Sequence, residues 1–87
     1  MPELKKIFNS QLNRRIVAFF HNYPTTVDTA GGISAWLNQN IDEVRAALKY
    51  LAEQNILIAH QGPPTTAYGY TQDLELIEQI ARLIAKE

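Results

Sequence analysis

NIDEVRAALKYLAEQNILIAHQ, residues 40–61, joins a capped amphipathic helix directly to a β-prone segment. Asn40 is a favourable N-cap, and Glu43, three positions later, can bond back to the Asn40 N–H in a capping box. Apolar side chains then recur at three- and four-residue intervals along one side of a helix: Ile41, Val44, Leu48 and Leu51. The stretch therefore predicts a helix whose inward stripe packs on a core.

The end of this helix and the segment after it predict a β-hairpin. Asn55 stands where helices commonly end in the left-handed conformation, a position that Gly fills most often and Asn next. ILIAH (56–60) and AYGYT (67–71) have strand character, and QGPPTT between them has turn chemistry. Tyr68 and Tyr70 alternate on the returning strand, so we expect both rings to pack the hairpin onto the core.

The N-terminal segment carries one long apolar stripe that ends before Pro24. The stripe consists of Leu4, Phe8, Leu12, Ile16, Phe19 and Tyr23. Ser10 can cap a helix of its own. The segment is therefore either one helix or a short helix followed by a longer one, and we expect a break near Asn9.

TTVDTAGG, residues 25–32, is a run of small and polar residues that predicts a loop before a second helix. Asp28 is placed to accept backbone N–H bonds and to cap a helix through ISAWLNQ, residues 33–39. Trp36 shares a helix face with Ile33. We therefore expect Trp36 in the core or at its edge, and not as an exposed platform.

The C-terminal segment predicts a last helix over about residues 73–86, capped by Asp73. Its apolar residues form two adjacent stripes: Leu74, Ile77, Ala81 and Ile84 on one, and Leu76, Ile80 and Leu83 on the other. One small domain needs to bury only one stripe. We therefore expect a homodimer through this helix, aided by the basic amphipathic stretch before residue 11. The candidate dimer contacts are Leu76, Ile80, Leu83 and Ile84.

The composition limits what the chain can do. It has 87 residues, enough for one domain spanning 1–87, with a formal net charge of −1 and no cysteine. Disulfides, thiolate chemistry and cysteine-ligated zinc are therefore excluded, and the chain is not a polycation. No apolar run approaches the roughly 20 residues that a bilayer requires, and no secretory signal is recognisable, so we expect a cytoplasmic protein without membrane contact.

Catalytic, metal and cofactor sites are not indicated. His21 and His60 have no Asp or Glu at metal-ligand spacing, so we expect no metal. The chain lacks a Ser/His/Asp arrangement in a recognisable context and a phosphate-cradling glycine loop. The sequence therefore predicts a binding module without a cofactor, and not an enzyme.

The order of the predicted elements resembles the winged helix-turn-helix superfamily. VDTAGGISAWLNQNIDEVRAALKYLAEQNILIAHQ, residues 27–61, is similar to its second helix, turn and recognition helix, and LAEQNIL, residues 51–57, to its helix exit. The resemblance covers about residues 11–72 and rests on patterning. It implies a mainly α fold with a small β-hairpin: a three-helix core, a two-stranded wing and an additional C-terminal helix.

In this superfamily the exposed side of the third helix enters the DNA major groove and the wing touches the phosphate backbone. The resemblance therefore implies a protein that binds double-stranded DNA, such as a small transcriptional regulator or an accessory protein. The candidate DNA contacts are Gln39, Asn40, Arg45, Lys49 and His60, with Arg14 and Arg15 on the first helix.

Charges on the same surface favour an alternative. Asp42 and Glu43 lead the third helix, and the predicted wing from His60 to Thr66 contains no Lys or Arg. Phosphates are neutralised by those two residue types. A winged-helix module for protein–protein contact, acting as an adaptor or complex subunit, therefore stands beside the DNA-binding interpretation.

Overall fold

The computed structural model of the protein describes residues 3–62 and 64–85. This part of the chain forms five helices and one three-stranded antiparallel sheet. The helices are α1 (Leu4–Ile7), α2 (Gln11–Asn22), α3 (Ala30–Leu37), α4 (Ile41–Glu53) and α5 (Leu74–Ala85). The strands are β1 (Val27–Thr29), β2 (Leu57–His60) and β3 (Ala67–Tyr70), in the order β1-β3-β2. The fold is mainly helical, as predicted, but its sheet has one strand more than the predicted hairpin.

The N-terminal stripe is broken into two helices, as the capping residue Ser10 predicts. The Ser10 hydroxyl accepts a hydrogen bond from the Asn13 N–H at 3.2 Å, which starts α2. The Asn13 side chain donates in turn to the Ile7 carbonyl at 3.1 Å and joins the two helices. Ile7 and Phe8 are buried, so α1 and its C-cap belong to the hydrophobic core.

Residues 27–29 form a strand that the sequence did not predict. β1 pairs antiparallel with β3, with Val27 opposite Gly69 and Thr29 opposite Ala67. Three residues are too few to show a periodic signal. β1 also pairs with β3, which is distant in the sequence and lies beside β1 only once the chain has folded. The prediction of a loop at residues 27–29 is therefore wrong.

The N-cap of α3 is Thr29 and not the predicted Asp28. The Thr29 hydroxyl accepts from the Gly32 N–H at 3.2 Å. The Asp28 carboxylate instead accepts from the Thr29 N–H at 2.7 Å. A Cβ atom at Gly32 would lie only 2.3 Å from an oxygen of that carboxylate, so glycine at this position allows Asp28 to lie against the first turn of α3.

Trp36 is not buried as its predicted helix face suggests. Ile33 is fully buried and Leu37 packs partly on the core, but Trp36 is 66% exposed. Trp36 precedes Leu37 by one residue, about 100° around the helix, and falls outside the side that α3 turns to the core. Trp36 therefore does not lie in the core, although its ring packs at the edge of the core on Phe19, with the ring centroids 5.6 Å apart.

α4 confirms the predicted helix and its Asn40 N-cap, but the hydrogen bonds of the described residues do not include the reciprocal bond from the Asn40 N–H to the Glu43 side chain. The Asn40 side-chain oxygen accepts from two N–H groups of the first turn, at 2.9 and 3.1 Å. The chain leaves the helix through Asn55, whose φ of 64° is left-handed. The first three residues of α4 lie at the surface, and Ile41 among them is 40% exposed. The inward stripe therefore begins at Val44 and not at Ile41, as predicted from the sequence.

The helices and the sheet enclose one core. Its fully buried side chains are Ile7, Ile16, Val17, Phe20, Ile33, Val44, Leu48, Leu51, Ile56 and Ile80. Tyr68 and Tyr70 are buried as predicted and pack β3 onto the core. The Tyr70 hydroxyl lies 3.2 Å from Nδ1 of His21 in the last turn of α2. Burial raises the pKa of Tyr70 to about 12.

α5 is committed to the core of its own chain. Asp73 caps it, as predicted, by accepting from the N–H groups of Glu75 and Leu76 at 3.1 and 3.3 Å. Leu76 and Ile80 are buried, and the helix lies against α2. Ile77, Leu83 and Ile84 are half-buried against the same core. Leu76 and Ile80 are therefore buried within one chain, and the role of the α5 residues as dimer contacts stays a prediction.

Candidate functional site

The exposed side of α4 lies near the β2–β3 hairpin. α3 and the turn after it lead into α4. α3 ends at Asn38, whose φ of 54° turns the chain left-handed. The Gln39 N–H donates to the Ser34 carbonyl at 3.0 Å and fixes the turn. The exposed side chains Asp42, Glu43, Arg45, Ala46, Lys49 and Glu53 of α4 form a surface that we call the α4 face.

Two predicted contact residues, Gln39 and Asn40, belong to the turn that starts α4. The Gln39 side chain is half-buried. The Asn40 side-chain oxygen already accepts two backbone N–H groups, so only its NH₂ group is left to meet a ligand. Both residues lie beside the α4 face, with less free hydrogen-bonding capacity than the sequence suggests.

The arginine of the α4 face is paired with a carboxylate of the same helix. Nη1 of Arg45 lies 2.9 Å from Oδ1 of Asp42. Both side chains are well exposed, so the pair contributes little to stability. Its main effect is to reduce the positive charge that Arg45 presents to a ligand. The other charges of the α4 face are Glu43, Lys49 and Glu53.

Arg14 and Arg15, predicted as phosphate contacts, bind within the fold. The guanidinium of Arg14 donates to the carbonyl of Phe8. The guanidinium of Arg15 donates to the carbonyl of Leu37 at 2.7 Å. Both arginine residues are half-buried, and each donates a guanidinium N–H group to a carbonyl of its own chain. Sequence patterning could not find these contacts, because the acceptors are backbone atoms of other helices or their ends.

The β2–β3 hairpin presents polar side chains without Lys or Arg. His60 ends β2 and is exposed. Nε2 of His60 lies 3.4 Å from the point where a Cβ of Gly69 would stand, so the ring lies across β3. The remaining exposed residues of the described hairpin tip are Gln61, Gly62, Pro64 and Thr65. The hairpin therefore offers hydrogen bonds but no fixed positive charge.

A cleft of about 420 Å³ separates α4 from the hairpin. It is lined by Lys49, Ala52, Glu53, Ala59, Gln61, Thr66 and Tyr68. Small side chains supply its apolar part, while Lys49 and Glu53 place opposite charges on the α4 side. The sequence did not predict this cleft, because it depends on how the hairpin packs beside α4. A second hollow, of about 480 Å³, lies along α1 and its flanks.

Comparison with models of known protein families gives no match, and comparison with curated proteins gives none either. Within residues 3–62 and 64–85, no three His, Asp or Glu side chains are grouped so that they could hold a metal ion. No helix of these same residues is long and apolar enough to cross a membrane. The candidate site is therefore defined by its own geometry, which is the α4 face and the adjoining cleft.

Proposed function

We propose that the chain is a winged-helix module whose α4 face and β2–β3 hairpin bind a partner protein. The order of the elements supports the winged-helix assignment, since α3, a short turn and α4 are followed by an antiparallel hairpin. In this interpretation α4 is the recognition helix and the hairpin is the wing. These are the two elements through which winged helices meet their ligands.

The charge of the surface is the observation that favours a protein over DNA. Arg14 and Arg15 donate to backbone carbonyls. Arg45 is paired with Asp42, and Lys49 is the other cation of the α4 face. Nonspecific DNA affinity depends on several cations that neutralise phosphates together. One lysine on a helix face that also carries three carboxylates provides little of that affinity.

The cleft indicates the chemistry of the partner. Ala52 and Ala59 leave room for a small apolar side chain between α4 and the hairpin. Gln61 and Thr66 can hydrogen-bond to the backbone of an extended segment. Glu53 at the cleft favours a basic residue next to that apolar side chain. A peptide segment with a small apolar residue flanked by Lys or Arg therefore fits the site.

A random peptide library displayed on phage tests this proposal directly. We expect selection against the purified chain to enrich segments with a small apolar residue beside Lys or Arg. Ala59→Arg, which fills the cleft from an exposed position, should abolish binding of a selected peptide, and Glu53→Gln should weaken it. Glu75→Gln on α5 is the matched control and should leave the affinity unchanged. No enrichment above a bare support, or equal binding by Ala59→Arg, would contradict the proposal.

DNA binding is the second candidate, because Lys49 and the NH₂ group of Asn40 are both available on the helix that winged-helix proteins insert into DNA. Titration of labelled random-sequence duplex at about 50 mM salt distinguishes the two functions. Saturable binding that Lys49→Ala weakens would favour DNA. A flat titration, together with the peptide selection above, would favour protein contact.

A further inference from the structure

β2 is an edge strand of the sheet, and its exposed end borders the cleft. The strand order β1-β3-β2 gives β2 a neighbour on one side only, within the part of the chain that the structure describes. Leu57, at the start of β2, is buried. Ile58, Ala59 and His60 are exposed, and Ala59 also lines the cleft. The outer edge of β2 is therefore accessible over its last three residues.

The register of β2 on β3 shows which backbone groups face away from the sheet. The Thr71 N–H donates to the Ile56 carbonyl at 3.0 Å, which makes these two residues a hydrogen-bonded pair. Such pairs alternate along antiparallel strands, so Ile58 and His60 also direct their backbone groups to β3. Ala59 lies between them and directs its N–H and C=O groups outward. An extended backbone can therefore hydrogen-bond to Ala59.

The edge of β2 has none of the features that usually prevent strand pairing. Residues 56–62 contain no charged residue and no proline, and β2 pairs with β3 over four consecutive residues without a bulge. Exposed edges are commonly protected by such charges, prolines or bulges. The edge of β1 is shorter, because the Thr29 N–H is bonded to the Asp28 carboxylate and α3 begins at the next residue. β2 therefore offers the better edge for an added strand.

We propose that the partner segment binds as an additional strand on the outer edge of β2, with its backbone hydrogen-bonded to Ala59. This inference rests on the proposed function, because it concerns how the same partner segment is held. In recognition by strand addition, backbone hydrogen bonds supply affinity and pockets for alternate side chains supply specificity. The ligand class is thus an extended peptide segment, and not a helix or a folded surface.

The cleft lies on the face of the sheet that receives side chains from such a strand. Ala59 and Tyr68 are a cross-strand pair, and both line the cleft. Paired residues place their side chains on the same face of a sheet. The residue of the added strand opposite Ala59 therefore directs its side chain to the face with the cleft. Its neighbours in sequence point to the other face, where Ile58 is 39% exposed and can pack against them.

Amide hydrogen exchange, followed by NMR on the isotope-labelled chain, tests the added strand at Ala59. In the free protein the Ala59 N–H should exchange faster than the Ile58 N–H, which bonds to β3. A saturating synthetic copy of the most enriched phage peptide should slow exchange at Ala59 at least about tenfold. Binding of this peptide without slower exchange at Ala59 would disprove strand addition and leave the proposed function standing. If the selection yields no peptide, both proposals fail.

N-methylation of single peptide nitrogens gives a pattern that side-chain contacts alone would not produce. In an added strand only alternate N–H groups of the peptide face β2. They belong to the small apolar residue opposite Ala59 and to the residues two positions away. Methylation of these nitrogens should raise the Kd at least about tenfold, and methylation of the nitrogens between them should change it little. Equal effects at consecutive positions, or none, would contradict the proposal.

Ala59→Pro makes the corresponding change in the protein. Proline removes the outward N–H and is tolerated on an edge strand where that group faces solvent, so circular dichroism should show the wild-type fold. Ala59→Val is the matched control, since it keeps the N–H and adds similar bulk. The peptide Kd should be at least about tenfold higher for Ala59→Pro than for Ala59→Val. Equal Kd values, or loss of the fold in Ala59→Pro, would overturn the proposal.

Discussion

Nη2 of Arg15 in α2 lies 2.7 Å from the carbonyl oxygen of Leu37, the last residue of α3. This charged donor satisfies one of the carbonyl groups that a helix C-terminus leaves without a helical partner. The negative end of the α3 dipole makes the interaction more favourable. The contact fixes the end of α3 just before the turn into α4, so Arg15 helps to position the α4 face without belonging to it.

Arg15→Ala should destabilise the fold, because it removes a hydrogen bond donated by a charged group. We expect the free energy of unfolding, measured by urea denaturation, to fall by about 1.5–3 kcal/mol. Lys6→Ala removes an exposed cation from α1 and is the matched control, with an expected change within about 0.5 kcal/mol. Similar losses for the two variants would show that the Leu37 contact has no special role.

Gly31→Ala and Gly32→Ala should have different effects on stability, although the two glycines are neighbours in α3. A Cβ at Gly31 would meet its nearest atoms at 3.8 Å, so alanine should stabilise the helix by up to about 1 kcal/mol. A Cβ at Gly32 would lie 2.3 Å from Oδ1 of Asp28, so alanine should displace that carboxylate, weaken its hydrogen bond from the Thr29 N–H and stabilise the fold less than alanine at position 31 does. Thermal unfolding followed by circular dichroism measures both changes.

The Asp28 side chain is the expected cause of the Gly32 effect, and a double-mutant cycle isolates it. With Asp28→Ala in place, the clash is gone and Gly32→Ala should stabilise the fold more than it does with Asp28 present. If Gly32→Ala has an equal effect with and without the Asp28 carboxylate, the close approach of the two residues is not the reason.

Ile80→Ala should destabilise the single chain and should not act on a dimer contact. Ile80 is fully buried, and truncating such a side chain removes about 2–5 kcal/mol of stability. Leu74→Ala, at a position 79% exposed, should change stability by less than about 0.5 kcal/mol. The loss at Ile80 should be the same at low and high protein concentration. A loss of stability that grew with protein concentration would show that Ile80 contributes to a contact between two chains.

Tyr70 should make stability depend on alkaline pH. Burial raises the pKa of its hydroxyl from 10.0 to about 12, so the folded state holds the proton more tightly than the unfolded state. The resulting stabilisation is complete below about pH 10 and is lost as the pH rises toward about 12. Urea denaturation across that range should therefore show a steeper decline for the wild type than for Tyr70→Phe. Parallel curves would mean that the hydroxyl ionises equally easily in both states.

Local signals predicted most of the elements of this fold. The side chains of Asn40 and Asp73 make the cap hydrogen bonds that their positions indicate. Asn55 takes the left-handed conformation that ends a helix before a strand. Ser10 separates α1 from α2. Each of these features depends on residues within a few positions of each other, which is the range over which sequence patterns act.

The features that the sequence did not predict depend on distant neighbours. β1 forms because its three residues meet β3 about 40 positions later, a pairing with no local signature. Leu76 and Ile80 lie on one of two equally apolar stripes, and helix periodicity cannot say which stripe the domain buries. The charges of the α4 face could be read from the sequence. The hydrogen bond that Arg15 donates to the Leu37 carbonyl could not.

The ion pair between Arg45 and Asp42 gives a quantitative test of the α4 face. Log K for DNA falls by about one unit per decade of salt for each phosphate that a cation neutralises. Lys49 is the other cation of the α4 face, so any residual binding of the wild type to random duplex at low salt should have a slope of about one. Asp42→Asn removes the carboxylate 2.9 Å from Arg45, so the slope should steepen toward about two.

Adding Arg45→Ala to Asp42→Asn should return the slope to about one, because the released cation is then removed. Asp42→Asn alone should not strengthen binding of a selected peptide that carries Lys or Arg, since it removes a carboxylate that attracts those residues. The same substitution should therefore strengthen DNA binding without strengthening peptide binding. A wild-type slope of about three or more would mean that several cations already reach the phosphates despite their contacts in the fold, and the protein-contact function would then be wrong.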